Sequence, residues 1–104
     1  MSEENWHRVA AIGDVAPEEP IRVQVGEEDI AIYNVDGGFH ATSNICTHAY
    51  ASMVDGFQEG EEIECPLHEG RFNIKTGEAL CAPVFDALKV FEVKLDGDDI
   101  LVKV

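Results

Sequence analysis

Four residues combine side-chain type and spacing in a way that allows metal chemistry. Cys46 and His48 are separated by one residue, Cys65 and His68 by two, and sixteen residues lie between the pairs. Thiolates and neutral imidazoles are standard ligands for zinc, copper and iron. A gap of one or two residues is short enough to put both members of a pair on one loop. The chain thus carries two matched ligand pairs, each with one sulfur and one nitrogen donor. His7 and His40 lie outside both motifs and are read as surface or packing residues.

A mixed set of this kind narrows the choice of centre. A [2Fe–2S] core needs two protein ligands on each iron, and in the Rieske arrangement two cysteines hold one iron while two histidines hold the other. Cys46 and Cys65 are then the ligands of the inner iron, and His48 and His68 those of the outer iron. Four thiolates on an oxidised core would leave a charge of about −2, whereas two thiolates and two neutral imidazoles leave about zero, so an added electron costs less and the potential rises. The second ring nitrogen of each imidazole can exchange a proton, which links redox state to pH. The rival centre is a Cys2His2 zinc site. Structural zinc sites usually open with two cysteines in one short motif, and neither motif here has two. Pro66, with its fixed φ and missing N–H, stiffens the second ligand segment.

These ligands need elements to position them, and strand signals dominate. Ile21-Arg22-Val23-Gln24-Val25 alternates and puts Ile21, Val23 and Val25 on one face. Gly26 to Asp29 turns into a strand over 30–35, and Asp36-Gly37-Gly38 is a strong hairpin signal leading into 39–42. Leu88 to Leu95 reads as one strand, turned by Asp96-Gly97-Asp98 into 100–104. Its apolar phase slips between Val90 and Phe91, which a bulge or two buried faces would explain. No segment sustains a helical apolar period, and the short turns demand antiparallel pairing. The expectation is an all-β single domain: an antiparallel basal part, sandwich-like or barrel-like, over about 1–44 and 83–104, and a cluster-binding part over about 45–82.

The chain has 104 residues and a formal charge of −14, from 21 acidic and seven basic residues. Phosphate backbones would be repelled by such a surface, so nucleic acid is excluded as a partner, as is an anionic membrane. No apolar run is long enough to span a bilayer and the N-terminus lacks a secretory pattern, so a cytoplasmic location is expected. Cys81, left over once the motifs are assigned, is expected to be a small buried residue within Ala79-Leu80-Cys81-Ala82.

Beyond the four ligands, the stretches Asn44-Ile45-Cys46-Thr47-His48, Asp55-Gly56, Glu64-Cys65-Pro66-Leu67-His68, Gly70-Arg71-Phe72 and Gly77 to Pro83 resemble the Rieske-type [2Fe–2S] ferredoxins of bacterial ring-hydroxylating dioxygenase systems. The resemblance covers essentially the whole chain. It implies a basal antiparallel domain with a smaller cluster-binding subdomain, one [2Fe–2S] cluster, and a segment around Pro83 covering that cluster. Respiratory Rieske proteins carry an extra cysteine in each ligand loop, joined as a disulfide, and a serine after the second loop that bonds a bridging sulfur. Ala51, Leu67 and Gly70 stand at those positions here. Fewer donors and an acidic chain both disfavour added negative charge, so a potential toward the low end of the Rieske range is expected.

The function that follows is that of a monomeric one-electron carrier, not an enzyme. By resemblance it takes electrons from a flavin-dependent ferredoxin reductase and passes them to a terminal ring-hydroxylating oxygenase. A Rieske oxygenase proper would need a further mononuclear iron site in a much larger domain, and only His7 and His40 remain to build one. The alternatives are a small Rieske-like subunit of a larger reductase, such as a nitrite reductase, and the zinc-binding interaction module. The aromatic substrate is not encoded in a carrier that never touches it.

Overall fold

In the computed structural model, residues 5–46, 51–67, 70–81 and 86–104 are described. His48, His68 and the segment around Pro83 lie outside them. Among the described residues, ten strands form three antiparallel sheets. The first sheet has the order β1 (Trp6–Ala11), β10 (Asp99–Lys103), β9 (Val93–Asp96); the second runs β2 (Ile21–Val25), β3 (Glu28–Val35), β4 (Gly38–Ser43), β8 (Val90–Phe91); the third is β5 (Phe57–Glu59), β6 (Glu62–Glu64), β7 (Arg71–Asn73). The helical pieces among the described residues are two short 3-10 turns, Ile12–Asp14 and Met53–Asp55. None of the described helices is long and apolar enough to cross a membrane. The all-β, antiparallel expectation holds.

Turn chemistry sets the hairpin registers. Asp36 and Gly37 have φ of 51° and 86°, the paired positive values that a two-residue hairpin turn matching strand twist requires. Asn34 braces that turn by accepting the Gly37 N–H on its side-chain oxygen at 2.9 Å. Gly97, at φ 61°, does the same service between β9 and β10.

Strand β3 is the wall between two cores. Ile30 and Ile32 pack with Ala10, Val15, Ala41, Phe91, Ile100 and Val102 between the first two sheets. Ala31, Tyr33 and Val35, on the opposite face, pack with Met53, Ile63, Phe72, Ile74 and Leu88 toward the third sheet. A strand buried on both faces cannot alternate polar with apolar residues, hence the apolar 30–33 run.

Two expectations need correction. The stretch from Leu88 to Leu95 is not one strand. Val90–Phe91 pairs with β4, Glu92 breaks the ladder, and Val93–Asp96 pairs with β10. The phase slip arises because the segment crosses from one sheet to another: Leu88 belongs to one core and Phe91 to the other. Cys81 is exposed, not buried. The N–H of Leu80 bonds the carbonyl of Arg71 at the edge of the third sheet, at 2.7 Å, and Cys81 is the next residue along the chain. One strand, β1, has no sequence counterpart: its residues alternate poorly because a register shift interrupts it between Arg8 and Ala10.

Candidate metal centre

The first ligand segment leaves the end of β4. Ile45 forms a bridge with Ser52, and inside that bridge the N–H of Cys46 donates to the carbonyl of Ala51 at 2.9 Å. The second segment connects β6 to β7. Glu64 pairs with Arg71, and inside that pair the N–H of Cys65 donates to the carbonyl of Gly70 at 2.7 Å. The two frames correspond: an antiparallel residue pair, an isolated bridge in the first and the end of the β6–β7 ladder in the second, encloses six residues, cysteine opens them, and the cysteine N–H bonds the carbonyl five residues on. Each predicted cysteine therefore sits at the same place in an equivalent hairpin.

Both thiols point inward. Cys46 is 4% exposed and Cys65 0%, and both belong to the same apolar cluster as Met53, Phe72 and Leu88. None of the three cysteines is in a disulfide. Ala51 is buried and Leu67 is 62% exposed; neither has a thiol to offer, so a bridge between the ligand segments is ruled out chemically. Two thiols converging in one dry cluster from equivalent hairpins fit the donor set that one iron of a [2Fe–2S] core takes. Among the described residues no three His, Cys, Asp or Glu side chains gather, since both candidate imidazoles lie outside them.

Packing joins the segments to one another and to the second sheet. Gly56, after the turn Met53–Asp55, lies against the carbonyl of Glu64, the residue preceding Cys65. Gly77, at φ 79°, lies against the carbonyl of Leu88, and the Leu88 N–H returns a bond to the Gly77 carbonyl at 2.8 Å. A side chain at either position would meet backbone that has nowhere to move. Sequence reasoning marked both glycines as part of a family pattern but not what they touch.

The outward face of the third sheet is acidic and ordered in rows. Across the row next to Cys65 stand Phe57, Glu64 and Arg71, with Leu80 bonded to the far edge. Phe57 is 70% exposed. Arg71 reaches Glu59, Glu62 and Glu64 at 3.3, 3.3 and 3.0 Å, and hydrogen bonds to Glu59 and then Glu62 raise its pKa above the usual guanidinium value. One cation among three carboxylates leaves this face negative. His7 is exposed, as expected for a surface residue, and His40 is part-buried, its pKa held below the ordinary imidazole value first by desolvation and then by Lys75.

A family model for the Rieske [2Fe-2S] domain matches residues 5–92. The chain belongs to the Rieske [2Fe–2S] family. Within it the sequence is 44% identical, over 96% of both chains, to the ferredoxin component of the naphthalene 1,2-dioxygenase/salicylate 5-hydroxylase systems of Ralstonia sp.. The structure matches the ferredoxin of Sphingomonas yanoikuyae B1 with a TM-score of 0.92 and 36% identity, over 96% of this chain and 99% of that one. It also matches, at a TM-score of 0.90 and 39% identity over 95% and 93% of the two chains, a chain in the complex of reduced oxygenase and oxidised ferredoxin in carbazole 1,9a-dioxygenase. This Rieske protein is thus a ferredoxin, an electron-transfer component of the aromatic-dioxygenase type and not itself the enzyme.

Proposed function

We propose that the ferredoxin takes single electrons from a flavin-dependent reductase and delivers them to a terminal ring-hydroxylating oxygenase, with its cluster held by Cys46, His48, Cys65 and His68. The observation that carries the ligand assignment is the pair of equivalent hairpins, each opened by a buried cysteine. When bound, the [2Fe–2S] group supplies one-electron redox chemistry. The protein's own residues do the rest. Cys46 and Cys65 hold the inner ligand positions in an apolar cluster that keeps water from the thiolates. Their N–H groups are committed to Ala51 and Gly70, which keeps each segment closed. In the sequence His48 and His68 follow two and three residues after their cysteines, and they would be the ligands of the second iron.

A similar ferredoxin is seen in complex with its oxygenase, which supports transient docking as the mode of delivery. Acidic residues on the third sheet and a chain charge of −14 favour basic partner surfaces, with docking that is electrostatic and short-lived. We infer a monomeric, cytoplasmic carrier, consistent with three cysteines that form no disulfide.

Iron and acid-labile sulfide analysis with the EPR spectrum of the reduced protein tests the assignment. Two irons, two sulfides and a Rieske signal that disappears in both His48→Ala and His68→Ala are expected. An unchanged signal in either variant overturns the ligand set. Electron delivery from reductase to oxygenase should slow as salt rises; rates independent of salt would remove the docking role of the acidic face.

A further inference from the structure

Asn44 stands two residues before Cys46, is completely buried, and has every polar atom bonded. Its side-chain nitrogen donates to Asp29 Oδ1 at 3.1 Å and to Ser52 Oγ at 2.8 Å. Its side-chain oxygen accepts the N–H of Val54 at 3.1 Å. Its own N–H donates to the carbonyl of Asp29 at 2.8 Å, and its carbonyl accepts the N–H of Met53 at 2.6 Å. Three of these five bonds reach Ser52, Met53 and Val54, the residues that follow the first ligand segment, and two reach Asp29 at the start of β3. Asp29 is held in turn by Arg22, whose Nε and Nη2 take its two carboxylate oxygens at 2.8 and 2.7 Å.

One amide therefore joins both ends of the first ligand hairpin and ties them to the rigid second sheet. The second hairpin is continued by the β6–β7 ladder, whereas among the described residues the first is closed by the isolated bridge Ile45–Ser52 and, next to it, by the bonds of Asn44. Buried amides bonded on every atom resist displacement, since each broken bond leaves an unsatisfied group in a dry site. Groups that orient ligands without touching the metal commonly change metal retention on the order of ten- to a hundredfold.

We propose that Asn44 is a positioning residue for the cluster: it holds the segment opened by Cys46 in its ligating geometry, with Asp29 and Arg22 as its brace. The proposal rests on Cys46 being a ligand. Asn44 acts through its bonds to Ser52, Met53 and Val54.

The test uses purified cluster-bearing protein, with iron release to a chelator and the g-values of the reduced protein as readouts. Asn44→Asp keeps shape and the acceptor for Val54 but removes both donors and sets a carboxylate against Asp29. It should release iron on the order of tenfold faster than the parent and shift the g-values. Adding Asp29→Asn to that variant returns a donor to the pair and should recover part of the loss, an outcome that independent structural damage would not give. Asn34→Ala is the control: Asn34 is equally a bonded, buried amide, donating to the Val15 carbonyl at 3.0 Å, but sits away from the ligand hairpins. It should lower the melting temperature while leaving the g-values unchanged. Parent-like release and g-values in Asn44→Asp, or a double variant worse than the single, overturn the proposal. If Asn44→Asp does not fold, Ser52→Ala carries the test: a shifted g-value supports the clasp and a parental one defeats it. A parent protein without a Rieske signal, or a Cys46→Ser variant that keeps it, would instead refute the ligand assignment beneath the proposal.

Discussion

Gly56 packs directly on the carbonyl oxygen of Glu64, so that a Cβ at position 56 would overlap it. Glu64 is peptide-bonded to Cys65, and Gly56 itself is tied back to the carbonyl of Met53 at 3.0 Å. The chain leaving the Cys46 segment is therefore stacked on the residue that enters the Cys65 segment.

Gly56→Ala should accordingly destabilise the protein by about 1–3 kcal/mol through overpacking, a melting-temperature drop of several degrees for a domain of this size, with lower cluster occupancy. Gly13→Ala is the matching control, because nothing lies within 4 Å of a Cβ there. Equal melting temperatures for the two variants would contradict the packing account.

Gln58 ties the third sheet to the second. Its buried side-chain nitrogen donates to the carbonyl of Asn34 at 2.8 Å and to that of Gly60 at 3.1 Å. Gln58→Leu keeps the bulk but leaves a buried carbonyl of β3 without its donor, at a cost of about 1–3 kcal/mol. A urea titration checks this; a midpoint within error of the parent would show that the tie contributes nothing.

His40 introduces a pH dependence that can be separated from that of the cluster. Desolvation, then Lys75, lowers its pKa, against a smaller opposing effect of Glu61. The unfolded chain therefore binds a proton at this site before the folded protein does. The stability contribution of neutral His40 is complete above the ordinary pKa of about 6.5 and is lost as pH falls from there through the lowered folded value. His40→Gln should flatten the melting-temperature profile just below about pH 6.5. The depressed pKa of Glu61, caused chiefly by its bond from Asn73, acts in a lower window and should leave that interval alone. A profile identical to the parent's would rule out His40 as the source.

The reduction potential should lie toward the low end of the Rieske range, near about −150 mV. Leu67 and Gly70 bring no hydroxyl to the second ligand segment, and Glu64 adjoins Cys65 in an acidic row; both raise the cost of an added electron. Potentiometric titration decides it: a value well above about 0 mV would mean that backbone donors outweigh these terms.

Much of this was legible from residue types. The hairpins at Asp36-Gly37 and Gly97 were readable because each depends on neighbours within a few positions and on a glycine with positive φ, and Cys46 and Cys65 were readable as members of candidate ligand pairs for the same local reason. Strand β1 and the division of 88–95 at Glu92 were not. In both, the deciding partner is the distant strand β10, and a register shift or a change of sheet leaves no periodic trace in the segment itself. The exposure of Cys81 was misread for the same reason, since apolar neighbours such as Ala79 and Leu80 say nothing about where a sheet edge ends.

By itself the sequence determined the all-β character and the acidic balance and offered a candidate donor set, because side-chain chemistry and turn geometry act over short separations. Only the tertiary structure decided that the two cysteines open equivalent hairpins, that Gly56 stacks one on the other, and that Asn44 fastens the first to β3. Those relations join residues that are distant along the chain, and backbone hydrogen bonds and close packing between such residues exist only once the sheets have assembled.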